Sequence, residues 1–368
     1  MRRASARRLS APWLALVLAL AACSRSVAPL PPAPATAAPA PQAIVFPKDA
    51  APHDALTEWW YFTGHLRDQR DAHEYGFEFT IFQVRRQDAA AGHLAHFAVT
   101  DVDGQRFSHQ ARSSQGAPQT SFPLRVQDWS LSGDDTVTAA MQPAPGAEVP
   151  YALELHFTDD KPPAPHHGGF IDNEPSGGSY YYSRTRLSAR GTLREGDTQA
   201  RVVEGQAWMD HQWGNFVVAG GGWDWYSLQL DDGTELMLYV LRQSAAPLPP
   251  VSGTAATAAY GKDVTAVYGS QVLADGSVRD LQPDEVRAEP LDRWISPHSG
   301  AVYPSGWRLT IRDQQRLVLR PLVQDQELYF PGFGSTTYWE GAVSIDGDRT
   351  GRGYVELTGY AERAVPAP

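Results

Sequence analysis

Apolar and polar residues alternate in short runs through most of this 368-residue chain. "EWWYFTGHL" (58–66), "YGFEFTIFQV" (75–84), "HFAVTDV" (96–102) and "YALELHF" (151–157) are rich in aromatic and β-branched residues and read as strands. A second set follows in "WDWYSLQL" (223–230), "TELMLYVLR" (234–242), "VTAVYGSQVL" (264–273), "GWRLTIR" (306–312), "RLVLRPLV" (316–323), "YWEGAVSI" (338–345) and "GRGYVELTGY" (351–360). "VDG" (102–104), "GDD" (133–135), "DDG" (231–233) and "ADG" (274–276) lie at or near the ends of such runs, as hairpin turns require. Helical periodicity is almost absent. Many short strands with few helices predict an all-β chain of barrels or sandwiches, and each half holds enough strands for one barrel. No clean repeat links the halves at the level of residues. "PHHGGFIDNEPSGGS" (165–179) and "RQSAAPLPPVSGTAA" (242–256) read as loops. The glycine run Gly220–Gly222 marks the boundary, giving domains at 48–218 and 219–364.

The first 47 residues change the picture, because they do not belong to either domain. Arg2, Arg3, Arg7 and Arg8 precede a short apolar run, "APWLALVLAL" (11–20), which reads as an export signal over residues 1–22. The signal ends in "LAAC", which resembles a bacterial lipobox with Cys23 as the lipidated residue. Cys23 is the only cysteine, so a structural disulfide within the chain is excluded. Residues 24–46 are rich in Pro and Ala and cannot bury a core, so 23–47 reads as a lipidated tether. Ser24 carries no aspartate-type retention signal, which points to a periplasm-facing lipoprotein of the outer membrane. Removing four arginines with the signal takes the net charge from −11 to −15. Such a chain is not steered to phosphate backbones, which excludes nucleic acid as a partner, and leaves the lipid anchor as the membrane contact.

Candidate chemistry concentrates in "GQAWMDHQWGNF" (205–216). Read as a strand, it puts Ala207, Met209, His211 and Trp213 on one face and Gln206, Trp208, Asp210 and Gln212 on the other. If Asp232–Gly233 is a two-residue turn, the next two strands pair Tyr226 with Tyr239, Leu228 with Met237 and Asp224 with Leu241. Asp224, Tyr226, Leu228, Met237, Tyr239 and Leu241 then share one face, and Trp225, Ser227, Gln229, Leu236, Leu238 and Val240 the other. Both faces are largely apolar, as suits a wall between two packed barrels. On this reading His211 and Trp213 line an apolar pocket with Tyr226 or Tyr239 across from them.

The runs "EWWYFTGHL", "SYYYSRTRL", "GQAWMDHQWGNF", "GWDWYSLQLDDGTELMLYVLR" and "YWEGAVSIDG…GRGYVELTGY" resemble the carotenoid 1,2-hydratase (hydroxyneurosporene synthase) family. They are closest to its secreted bacterial branch, often labelled lipocalin-like or "predicted secreted hydrolase". The resemblance spans roughly residues 50–364. It implies two tandem lipocalin-like (calycin-type) β-barrels with a pocket near where they meet. It also implies a His-x-Trp element followed on a later strand by Tyr-x-Asp. His211 and Trp213 match the first element and Tyr239 matches the tyrosine, but Leu241 stands where the aspartate is expected.

Hydrating a trisubstituted alkene needs an acid in an apolar setting, aromatic faces for the cation, and controlled entry of water. The catalytic candidates are Asp210, His211, Trp213 and Tyr239, with Met209, Asp224, Trp225 and Tyr226 as ligand contacts. Plainer readings stand beside these. His211 serves a backbone carbonyl, and Trp59, Trp60, Trp208, Trp223 and Trp339 are core. Glu58 and Glu340 answer to local backbone bonds or to an arginine such as Arg184 or Arg186. His166–His167 is a solvated pair with no third ligand at metal spacing, so no metal is expected. No GxSxG supports a serine hydrolase and no glycine pattern supports a nucleotide cofactor, so no cofactor is expected. Two functions remain: a hydratase or cyclase acting on an isoprenoid, polyene or acyl chain, and a non-catalytic lipid-binding lipoprotein serving an ABC-type exporter.

Overall fold

The computed structural model describes residues 41–85, 90–143, 148–172, 177–216, 221–242, 264–312, 315–330 and 337–361. The expected signal, Cys23 and most of the tether lie outside the described residues, as does all but the first residue of 242–256.

Two antiparallel sheets account for nearly all regular structure. The first contains β1 (Thr57–Asp68), β2 (Glu74–Val84), β3 (Ala91–Asp101), β4 (Arg106–Gly116), β5 (Leu124–Val126), β6 (Trp129–Leu131), β7 (Thr136–Ala140), β8 (Tyr151–Asp159), β9 (Ala164–Asp172), β10 (Gly178–Glu195) and β11 (Arg201–Gly214). The second contains β12 (Gly222–Leu230), β13 (Glu235–Arg242), β14 (Val264–Val272), β15 (Val278–Leu281), β16 (Val286–Ile295), β17 (Val302–Ile311), β18 (Gln315–Pro321), β19 (Glu327–Leu328), β20 (Tyr338–Gly347) and β21 (Gly351–Leu357). Both follow one plan. The first strand pairs with the last, β1 with β11 and β12 with β21, and the ladder is cut between two consecutive strands, β4/β5 and β15/β16. Each sheet is therefore an up-and-down meander rolled into a barrel, and the chain is two lipocalin-like barrels in tandem.

Period-two alternation divides every strand between a barrel interior and an outer face. Trp60, Phe62, Phe77, Phe79, Phe97 and Trp129 fill the first barrel. Tyr226, Leu228, Trp307, Leu309 and Trp339 fill the second. A third apolar layer, with Tyr61, Tyr181, Trp208, Trp225, Met237 and Tyr354, lies between them. Polar ties frame that layer. The buried Glu235 carboxylate accepts from Arg186 at 2.6 Å and Lys161 at 2.8 Å, and Gln229 donates to the carbonyls of Thr185 and Ala207 at 2.8 and 2.9 Å. Elsewhere Thr100 donates to Gln326 at 2.7 Å and Arg352 to Glu74 at 2.7 Å.

Two expectations are corrected here. The β12–β13 hairpin turns through three residues rather than two. The Leu230 N–H bonds the Thr234 carbonyl at 2.8 Å, and Gly233 takes the left-handed position at φ 79°. Tyr226 therefore pairs with Leu238, Trp225 with Tyr239 and Asp224 with Val240. One residue of slip moves every β13 side chain to the other face. Asp224, Tyr226 and Leu228 share a face with Leu236, Leu238 and Val240, while Trp225 and Ser227 share the other with Met237 and Tyr239. Residues 165–179 are also not simply a loop. Residues 164–172 form β9, which pairs irregularly with the start of β10, and the left-handed backbone at His167, Gly168 and Gly169 lets it bend there. His166 is consequently fully buried rather than solvated.

Candidate functional site

β11 carries polar chemistry on both faces, and the two faces belong to different surroundings. On the inner face His211 is the ladder partner of Trp60 on β1 and Tyr182 on β10, and Trp213 is the partner of Glu58 and Tyr180. The Glu58 carboxylate accepts from His211 Nε2 at 2.9 Å and from His53 Nδ1 at 2.8 Å. It also accepts from the His53 backbone N–H at 2.9 and 3.1 Å. The other nitrogen of His211 meets the Tyr182 hydroxyl at 3.2 Å. His53 comes from the segment before β1 and stacks flat on Trp213, centroids 4.0 Å apart. Burial opposes charge on Glu58, but the bonds from His211 and His53 outweigh it and hold its pKa below the ordinary 4.5. Burial also lowers the His211 pKa, against the pull of Glu58, so the pair is an anion beside a neutral imidazole.

The outer face of β11 belongs to the layer between the barrels. Ser183, Asp210, Tyr61, Thr80 and His96 are ladder partners across five adjacent strands of the first barrel. Tyr239, Trp225, Glu356 and Glu340 are ladder partners across four strands of the second. The rows meet face to face. The Tyr61 hydroxyl donates to Glu340, Trp225 Nε1 donates to the Tyr181 hydroxyl at 3.0 Å, and His96 Nδ1 meets the Tyr338 hydroxyl at 2.7 Å. Asp210 accepts from Tyr181 and Trp208, both at 2.7 Å, and from Ser183, which is itself bonded by His166 Nε2 at 2.6 Å. Glu356 accepts from Trp223 Nε1 at 2.9 Å, and Glu78 from Thr80.

Four carboxyls thus share a layer of rings. Among the described residues none of them is bonded to a lysine or arginine. Burial raises the pKa of Glu340 well above the glutamate range, and repulsion from Glu78 and Glu356 adds to it. Glu78 and Glu356 are raised for the same first reason, and Asp210 is pushed up to about 7 by burial despite its three donors. Burial drives His96 and His166 down to about 3, so both are neutral. Glu78 Oε2, His96 Nε2 and His166 Nδ1 are buried without a hydrogen-bond partner. Neutral acids and orphaned polar atoms thus stand among aromatic rings in this buried layer. Half-buried Trp59, Trp223, Tyr239 and Tyr268 pack at the edge of the layer.

The sequence-derived candidates are thereby separated. His211 and Trp213 lie together in the first barrel, with Met209 in the same core. Asp210, Trp225 and Tyr239 lie in the layer between the barrels. Tyr226 is in the core of the second barrel, and Asp224 is bonded there by Arg242 at 3.1 Å and Tyr360 at 3.0 Å. The expectation that Tyr226 or Tyr239 faces His211 and Trp213 is overturned by the hairpin register and by the sheet itself, which stands between them. Nor do Glu58 and Glu340 pair with Arg184 or Arg186. Arg184 bonds Asp135 and Asp159, and Arg186 bonds Glu235. Sequence reasoning passed over His53, Tyr61, Glu78, Tyr181 and Glu356. A usable signal was present for the two glutamates, since each interrupts an apolar strand, in "GFEFTIF" and "GYVELTGY".

No curated protein sequence matches the chain. Among solved structures, an AttH of Nitrosomonas europaea is similar over 87% of this chain and 98% of its own, with 29% identity and a TM-score of 0.73. Kievitone hydratase of Nectria haematococca shares the fold over 86% of this chain and 93% of its own, with 13% identity and a TM-score of 0.64. The sequence pattern of the AttH-like family matches residues 37–360, and the chain belongs to that family.

Proposed function

We propose that the layer between the barrels takes up an extended apolar chain, an isoprenoid, polyene or acyl ligand, and protonates a carbon–carbon double bond in it. Glu340 carries the reading: it is a buried carboxyl with no cation beside it among the described residues, bonded by Tyr61 in a layer of indole and phenol rings. A glutamic acid held neutral is an acid strong enough for an alkene only when the cation it creates is stabilised. In the proposed step the alkene π pair takes the Glu340 proton as a new C–H bond, leaving a tertiary cation on the adjacent carbon. The faces of Tyr61, which bonds Glu340, and of Trp225, 5.1 Å from the Tyr61 ring, attract that cation. Water then forms the C–O bond and returns a proton to the carboxylate cluster, so water is added and the acid is restored. If an internal double bond attacks instead, a C–C bond closes a ring and the charge moves to a new carbon, which loses a proton to the carboxylate to leave a ring alkene and restore the acid. The fold likeness to a protein named as a hydratase, and the resemblance to carotenoid 1,2-hydratases, are in keeping with this chemistry.

Leu241, at the place where the resemblance expects an aspartate, favours the second reading, a lipid carrier without turnover, serving an ABC-type exporter. Solvent extraction of the purified protein followed by mass spectrometry tests both. A co-purifying isoprenoid or acyl chain that gains labelled oxygen in ¹⁸O water supports hydration. The same chain without label supports the carrier, and the absence of any apolar ligand defeats both. Lipidation at Cys23 and a periplasm-facing, outer-membrane location belong to the proposal as well. A Cys23→Ala chain should be released to the soluble periplasmic fraction, and one that stays with the membrane contradicts the anchor.

A further inference from the structure

The inner face of β11 offers a site of another kind, independent of the ligand layer. We propose that His53, Glu58 and His211 hold a divalent transition-metal ion, zinc by the type and number of donors, that pins the segment before β1 to the wall of the first barrel.

The donor set is the first ground. His53 Nδ1, a Glu58 oxygen and His211 Nε2 all lie within 4.8 Å of one another. Two imidazoles and one carboxylate are a recurrent zinc set that leaves a fourth position for water. Both imidazole nitrogens converge on the same oxygen, Glu58 Oε1, at 2.8 and 2.9 Å. Tetrahedral zinc with bonds of about 2.0–2.2 Å spaces its ligands about 3.3 Å apart, so the two sides that meet at Glu58 need to open by only a few tenths of an ångström.

The surroundings are the second ground. A metal-binding imidazole is oriented by a partner on its remote nitrogen, and both histidines have a group there. The Tyr182 hydroxyl bonds His211 Nδ1 at 3.2 Å, and an Asp49 oxygen lies 3.6 Å from His53 Nε2. The rings are held as well, His53 stacked on Trp213 and His211 on Trp60 at 4.7 Å. The His53 side chain keeps one-fifth of its surface exposed, which gives an ion a way in. The three ligands come from three parts of the chain, so an ion here would cross-link the leading segment to β1 and β11 as a disulfide would. This chain cannot form an internal disulfide, since it has one cysteine. The expectation of no metal was drawn from His166–His167, and spacing along the chain cannot reveal a set assembled from residues 53, 58 and 211.

The test uses the full chain, stripped with a chelator and titrated with zinc chloride, with calorimetry and the thermal midpoint as readouts. One zinc per chain and a higher midpoint are expected. His53→Gln lies on the half-buried leading segment and should fold without zinc, with ordinary circular dichroism, yet bind zinc at least about a hundredfold more weakly. Glu58→Gln should do the same, and Tyr182→Phe should lose about tenfold by freeing the His211 ring. If the folded wild-type chain takes up no zinc, the proposal fails. It fails equally if His53→Gln and Glu58→Gln bind zinc as the wild type does, which would place the ion elsewhere.

Discussion

Back to back across β11 stand two polar groups that solve burial in opposite ways. Inside the first barrel, Glu58 keeps its charge because imidazole and backbone N–H groups converge on it. On the other side of the same sheet, Glu340, Glu356 and Glu78 have, among the described residues, a hydroxyl or an indole as partner, and burial favours their neutral form. A buried charge that is well bonded rigidifies its surroundings, whereas a buried acid without a counter-charge is a proton source. The first arrangement suits holding a barrel together and the second suits the chemistry proposed for the layer.

Isosteric and truncating substitutions on each side should break this contrast if it is wrong. The largest effect is expected from Glu340→Gln, which removes the proton and little else. It should lower hydration of the ligand identified by extraction by about 10²–10⁴-fold while leaving the thermal midpoint nearly unchanged. Activity that survives with a lowered midpoint would make Glu340 structural. Trp213→Ala should cost about 3–5 kcal/mol in denaturant unfolding, as loss of a buried indole does, with no change in affinity for a polyene probe. Trp223→Ala, at the edge of the proposed ligand layer, should reverse that pattern and weaken the probe by about 1–3 kcal/mol. Probe affinity that tracks Trp213 instead would return the ligand to the first barrel. Glu58→Gln, measured without zinc, should cost about 1–3 kcal/mol of stability, because bonds to a charged acceptor become bonds to a neutral one.

The smallest and broadest effect is on pH. The raised carboxyls of Glu78, Glu340 and Glu356 keep protons that the unfolded chain releases above 4.5, so their contribution is full below that value and is lost as pH rises toward their folded pKa values. His65, His96 and His166 have the opposite sign. Burial lowers them from 6.5 to about 4, about 3 and about 3, so their contribution is full above 6.5 and is lost as pH falls. Thermal midpoints should peak between these limits and decline on both sides. The alkaline decline should flatten in Glu340→Gln, and a midpoint still rising above neutral pH would contradict the protonated layer.

Much of the fold was legible because period-two alternation is a local property. The strands around 58–66, 75–84 and 223–230 follow from it, as does the division of His211 and Trp213 from Asp210 across β11. What a pattern of residue types cannot express is backbone conformation at one glycine. Gly233 at φ 79° fits a three-residue turn as well as its neighbours fit a two-residue one, and that single step carried Tyr239 to the other face. Nor can local pattern join residues distant in sequence. Glu58 meets His211, and Tyr61 meets Glu340, only because β1 closes on β11 and the barrels pack together. The layer's glutamates did leave a trace, an acid at the outward beat of an aromatic strand, which has little reason to be there unless something outside that barrel covers it.

The pairing of first strand with last also sets a schedule for synthesis. β1 is made early, yet its ladder partner runs to Gly214, so at about 5–20 residues per second the ribosome supplies the closing strand roughly seven to thirty seconds later. Through that interval β1, with its "EWWYF" run, has β2 on one edge and nothing on the other. Such an edge invites pairing with a neighbouring chain. A nascent chain of this design depends on being kept apart from its copies until residue 214 has arrived, and a pause after that point would help it where an earlier pause would harm it.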